Sequence, residues 1–253
     1  MDHETREALI RLITPIADDE WIVGHRGSEW LGLAPELEED LAFSSIHQDE
    51  MGHALYLYEL LHDLGEPDPD ALVYARPVAS WRNACFVEAA NGDWAATVVR
   101  RYFYEMFDRL RLEALAHVDF TPLAHGLKKI QREEAFHLKH FALWMEMLAQ
   151  GGDEARRRVI DAVAAVWPTL SDLFDWGLRD DVQAQLGLPP ALALKDAWVR
   201  EVRAQFQDWQ LPWPGEIPTT MEHNGRAGRH TPALDDILTT MRAVRVIAPE
   251  SAW

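Results

Sequence analysis

One cysteine, Cys85, stands among 253 residues, which excludes an internal disulfide and a metal site built on several thiolates. Any metal bound by this chain therefore meets oxygen and nitrogen donors. Long apolar runs are missing too: none approaches the roughly 20 residues that cross a bilayer, so no membrane partner is expected. The opening MDHETREALI is acidic and amphipathic, unlike a secretory leader, and the expected compartment is the cytoplasm. Positive charge is scarce, with 24 Lys and Arg against 42 Asp and Glu for a formal charge of −18. Nucleic acids bind basic surfaces, so none is an expected partner. An anionic ligand would need a local patch such as Arg100, Arg101, Arg109 and Arg111, or Lys128, Lys129, Arg132 and Lys139. Most of these charges are expected on solvated helix faces.

Strand signals are nearly absent, and helical periodicity with clear punctuation runs almost throughout, so the fold class is all-α. Thr14-Pro15 offers an N-cap and first-turn proline for a helix closed by Gly32 and Pro35. Pro35 opens a long helix that stops at Leu64-Gly65-Glu66-Pro67, and the stretch to Pro77 reads as loop. Asn91-Gly92-Asp93 caps a third helix, Thr121-Pro122 starts a fourth, and Gly151-Gly152 ends it. Further helices are expected at about 153–174, 190–207 and 232–245, as cover for the bundle. One domain over 1–253 follows, with a core bundle at about 15–150 and a helical extension at about 153–253. Eleven tryptophans are mostly explained by buried packing.

Two Glu-x-x-His motifs lie in these helices, Glu50-Met51-Gly52-His53 and Glu134-Ala135-Phe136-His137, each with a Glu about thirty residues upstream, Glu20 and Glu105. Residues three apart share a helix face, so one helix can offer a carboxylate and an imidazole to the same ion. The set Glu, Glu-x-x-His, Glu, Glu-x-x-His is that of ferritin-like four-helix carboxylate proteins holding two irons or two manganese ions. A single motif is weak, since roughly one is expected by chance at ordinary composition. Glu59-Leu60-Leu61-His62 is such a decoy, turned roughly 180° from Glu50 on the same helix. Neighbours one and two turns away sort the faces: Phe43, Ile46, Ala54, Leu57 and Leu61 surround Glu50, and Leu127, Ile130, Leu138, Phe141 and Met145 surround Glu134. Carboxylates on apolar stripes are costly unless paired or metal-bound. Glu20 has Ile13, Ile16 and Val23 beside it, whereas Glu105 has Arg101 and Arg109 as well as Val98 and Leu112, and Asp108 stands as its rival. Asp49 and Glu133 point off the ligand face and are read as solvated acids. Tyr102 and Tyr104 are read as core packing, and His25 and Glu29 as a packing pair.

The residues also carry a resemblance to the phenylacetic-acid catabolic family, the ferritin-like subunits of bacterial ring-1,2-phenylacetyl-CoA epoxidase. Gly24-His25-Arg26-Gly27-Ser28-Glu29-Trp30, Val87-Glu88-Ala89-Ala90-Asn91-Gly92 and the tail from Gly225-Arg226-Ala227-Gly228-Arg229-His230-Thr231 to Trp253 look like the structural C-type subunit. The segments around Glu50-His53 and Glu134-His137 are instead similar to the catalytic A-type subunit.

The resemblance implies a di-iron oxygenase, an epoxidase or hydroxylase, with metal ligands Glu20, Glu50, His53, Glu105, Glu134 and His137 and with Glu50 and Glu134 in bridging positions. It implies an aromatic acyl-CoA substrate such as phenylacetyl-CoA, dioxygen as co-substrate, a separate reductase and assembly with itself or with related ferritin-like subunits. The alternative is a non-catalytic structural subunit of such a complex. Ferritin-like iron storage shares the ligand set but leaves the C-type tail unexplained. His223 and His230, in the tail loop, are placed at a partner contact by the resemblance alone.

Overall fold

The computed structural model describes residues 1–219 and 222–247, so the terminal Trp253 lies outside the described residues. Ten α-helices are found among them: α1 His3–Ser28, α2 Leu37–Asp63, α3 Pro69–Tyr74, α4 Cys85–Glu88, α5 Trp94–Leu115, α6 Thr121–Gln150, α7 Asp153–Val166, α8 Asp180–Gln185, α9 Ala191–Asp208 and α10 Pro232–Ile247. The four long helices α1, α2, α5 and α6 form the bundle. α1 packs on α2 and α5 on α6, and α2 meets α6 across the middle. This is the all-α, ferritin-like arrangement expected, and no described helix is long and apolar enough to cross a membrane.

The elements start where side chains can accept the free first-turn N–H groups. Asp2 accepts from Thr5 N at 2.8 Å to open α1, and Asp93 accepts from Ala96 N at 2.9 Å to open α5. The expectation that Thr14-Pro15 begins the first helix is corrected, because Pro15 lies inside α1. The apolar stripe of Leu9, Leu12, Ile13 and Ile16 continues through the proline and is buried, and that packing outweighs a cost of about 3 kcal/mol. Thr14 Oγ1 donates to Ile10 O at 2.8 Å in the same turn. The 66–77 loop contains the short helix α3, capped by Asp68 on Ala71 N at 2.9 Å. The helix expected to reach Phe174 ends at Val166, where Pro168 forces the tighter turn Trp167–Thr169.

A single apolar cluster runs from Leu9 on α1 to Leu238 on α10. α7 and α9 cover the outer side of α5, and α10 rests on α3 and α4. Trp198, fully buried on α9, donates its indole N–H to Phe103 O of α5 at 3.0 Å. That contact ties α9 to α5, and α5 supplies the charged side chains that reach the middle of the bundle.

Candidate metal centre

Glu20 on α1, Glu50 and His53 on α2, Glu105 on α5, and Glu134 and His137 on α6 are all buried, and the bundle brings them together. They form two groups of metal-binding size. Glu20, Glu50, His53 and Glu134 make one, and Glu50, Glu105, Glu134 and His137 make the other. Glu50 and Glu134 belong to both, the property asked of bridging carboxylates. Glu59 and His62 are exposed on the far side of α2. Asp108 accepts from Arg111 Nε at 2.7 Å and belongs to neither group, whereas its rival Glu105 meets the others.

Donor atoms in the cluster lack partners. Glu20 Oε2, Glu50 Oε2, Glu134 Oε2 and His53 Nδ1 are buried with no hydrogen bond, and His53 Nδ1 stands 3.8 Å from Glu20 Oε2 and 3.8 Å from Glu50 Oε2. Buried polar atoms are rarely left so. These three carboxylate oxygens and imidazole nitrogen, with both oxygens of Glu105 likewise without hydrogen bonds, fit divalent cations of the iron, manganese or zinc type.

Two expectations about neighbouring residues are corrected. Glu133 receives His53 Nε2 at 2.9 Å, and Asp49 lies 3.4 Å from His137 Nε2. Each acid is on the opposite helix from the histidine it meets, so a reading confined to one helix places it in solvent. The pairing frees Nδ1 of each ring for the cluster, as carboxylate–histidine pairs do in metal sites. Tyr104 likewise does more than pack: its hydroxyl donates to Glu20 Oε1 at 2.9 Å. Tyr102 does pack, against Trp209, and its hydroxyl is unpartnered.

The arginines on α5 are the second correction to the solvated-face reading. Arg100, Arg101 and Arg111 are buried, and only Arg109 is partly open, whereas Lys128, Lys129, Arg132 and Lys139 are exposed as expected. Arg111 reaches Asp19 at 2.6 Å and Glu20 at 2.7 Å, and Arg101 contacts both Glu50 and Glu105. These cations explain how so many acids coexist. Burial pushes Glu20 well above the usual carboxylate range, and the charges of Asp108 and Glu50 add to it. Burial and Glu50 push Glu134 up to about 7. Burial also raises Glu105 against the pull of Arg101. Burial acts on Glu50 in the same direction, but Arg101 and the histidines outweigh it and hold this carboxyl well below the usual range. His53 would be lowered by burial, and the surrounding Glu134, Glu20 and Glu50 raise it instead.

The tail joins this network. Arg226, buried, forks onto Asp19 with Nη1 at 2.8 Å from Oδ1 and Nη2 at 2.7 Å from Oδ2. Asp19 is thus shared between Arg226 and Arg111, next in sequence to Glu20. His230 ties the tail to the bundle within the chain: it meets Glu88 at 2.6 Å and Trp81 O at 2.9 Å. Cys85, Glu88 and His230 lie close enough to suggest a metal site. Glu88, however, is already filled by Asn83, His230 and Thr231. His25 lies beside Glu29 without pairing to it, and Glu29 is instead taken by Arg26 at 2.8 Å. Gly27 is required where α1 meets α2, since a Cβ there would fall 1.6 Å from the His47 ring. Burial and nearby Arg101 lower His47 to about 3, so it stays neutral.

A bundle of four long helices with a shared Glu, Glu-x-x-His, Glu, Glu-x-x-His cluster at its centre defines a ferritin-like carboxylate protein. Comparison with known proteins narrows the class. The chain belongs to the family described as Phenylacetic acid catabolic protein, which it matches over residues 1–253. It is 30% identical to the C-type subunit of 1,2-phenylacetyl-CoA epoxidase from Escherichia coli (strain K12), over 240 residues covering 94% of this chain and 96% of that one. It is also 26% identical to the A-type subunit of the same epoxidase from that organism, over 208 residues covering 82% of this chain and 66% of the relative.

Proposed function

We propose that this chain is an O2-dependent di-iron oxygenase subunit whose substrate is an aromatic acyl-CoA such as phenylacetyl-CoA, working alongside related ferritin-like subunits and a separate reductase. The observation that carries the reading is the pair of ligand groups sharing Glu50 and Glu134, with six of their donor atoms left without hydrogen-bond partners. The two relatives, both epoxidase subunits, support the substrate class.

Glu20, Glu50, His53 and Glu134 would hold one iron, and Glu105 and His137 with the shared carboxylates the other; manganese meets the same donors. Bound iron would supply the reduction of dioxygen and oxygen transfer to the ring. The chain's own part is positional. Glu133 and Asp49 orient the two imidazoles, and Tyr104 and Arg111 fix one oxygen of Glu20.

A second reading, a non-catalytic subunit that stabilises a catalytic relative, is favoured by one feature: Arg101 already neutralises Glu50 and Glu105. Metal analysis after anaerobic iron loading separates the two. The oxygenase reading expects about two irons per chain at saturation, lost in Glu50→Ala and Glu134→Ala and kept in Asp108→Ala. A folded protein that stays metal-free after loading would establish the structural role instead.

A further inference from the structure

The two ligand groups differ in how the nearest guanidinium meets them. In the Glu20 group the donors are preset and bare. Tyr104 and Arg111 both hold Glu20 Oε1, at 2.9 and 2.7 Å, which leaves Oε2 turned toward His53 Nδ1. Glu133 holds the far nitrogen of that imidazole. Glu50 Oε2 and Glu134 Oε2 complete a set of four unpartnered atoms.

In the Glu105 group a guanidinium already stands against two of the carboxylates, although neither oxygen of Glu105 has a hydrogen bond. Glu50 Oε1 and Glu105 both contact Nη2 of Arg101, and His137 Nδ1 is paired with Glu134 Oε1 at 3.0 Å. Arg101 is one turn before Glu105 on α5, so its head reaches the carboxylate without any distortion of the helix. Its guanidinium lies over the Phe141 ring, 5.0 Å from the centroid. Yet its Nε and Nη1 are buried and have no partners.

That last detail separates Arg101 from Arg111. Arg111 commits Nε, Nη1 and Nη2 to Asp108, Asp19, Glu20 and Tyr104 and is locked. Arg101 is held through one nitrogen, whose single hydrogen bond goes to Glu50 Oε1. A guanidinium cannot shed its proton, so it cannot neutralise in place. A buried charge lacking most of its hydrogen bonds is poorly compensated. A divalent cation offers the same two carboxylates twice the charge.

Resting on the reading of this cluster as a two-metal site, we propose that Arg101 is a resident counter-cation that closes the Glu105–His137 position until it is displaced on metal entry. The two positions therefore fill in a fixed order, with the Glu20–His53 position first.

The test is a titration of the metal-free full-length protein with cobalt(II), followed by calorimetry and by the visible absorption of the bound ion. The wild type should show two steps, the second weaker by about tenfold or more. Arg101→Gln should tighten the second step by a similar factor and leave the first nearly unchanged. Arg101→Lys, which keeps a cation, should retain the two steps. Glu105→Gln should remove only the weak step and Glu20→Gln the tight one, a readout that does not depend on how well the Arg101 variants fold. Two equally tight steps in the wild type, unaltered in Arg101→Gln, would overturn the ordering while leaving the metal site standing. Binding of no cobalt by wild type and variants alike would remove the metal-site reading and the ordering with it.

Discussion

Replacing Arg226 by methionine tests whether the tail is part of the centre. The side chain forks onto Asp19 and also donates to Pro15 O at 3.2 Å and Arg82 O at 2.9 Å. Methionine retains most of the apolar stem and removes the charge. Removing one partner of a buried pair costs about 3–5 kcal/mol because the other charge is left uncompensated. Asp19 is not left bare, since Arg111 Nη1 at 2.6 Å and Ala84 N at 2.8 Å remain. The lower end, about 3 kcal/mol, is therefore expected. For a chain of this size it lowers Tm by about 6–12 °C. Chemical denaturation of wild type, Arg226→Met, Asp19→Asn and the double variant closes a cycle whose coupling term isolates the pair. The metal-binding readout should move as well, because Arg111 then redistributes between Asp19 and Glu20 and the bare oxygen of Glu20 loses its fixed direction. A loss below about 1 kcal/mol, or a coupling term near zero, would refute the claim that this pair is a buried structural tie.

Other outcomes follow from the same geometry. Glu133→Gln should weaken metal binding by about 10- to 100-fold in a competition with a chelator, with Asp49→Asn weaker in effect because its contact is longer and more exposed. The metal-free protein should lose stability as pH rises from about 5 to 8. Glu134, pushed up to about 7, is protonated in the folded state below that value and in the unfolded chain only below its ordinary 4.5. Its contribution is full at low pH and is lost as pH climbs through the folded value, and the raised Glu20 and Glu105 act in the same direction. Glu134→Gln should flatten the slope in thermal melts, and metal uptake near pH 6 should release protons measurable by calorimetry in two buffers.

The ligands were legible in the sequence because their geometry is local. Three residues along a helix set Glu50 beside His53, and the apolar neighbours within two turns announced that the pair faces inward. The decoy at Glu59 failed on the same criterion. What the sequence concealed is pairing between helices. Glu133 reaches His53 across 80 positions, and Arg226 reaches Asp19 across 207. Arg101 and Arg111 belong to a set of charges expected mostly on solvated faces, and nothing within one turn of either arginine names Asp19 or Glu50 as its acid. Pro15 misled for a related reason: its local preference is overridden by packing along the rest of α1.

The shared Asp19 also has a meaning in time. The four ligand helices are complete by Gln150, whereas the guanidinium that settles Asp19 belongs to residue 226. At roughly 5–20 residues per second of synthesis, roughly 4–15 s pass between the two. Throughout that interval a growing chain can present all six donors while the acid beside Glu20 has only Arg111 to neutralise it. The metal centre is therefore finished by the tail, and a chain interrupted between α9 and Arg226 would possess every ligand without the charge balance that aims them.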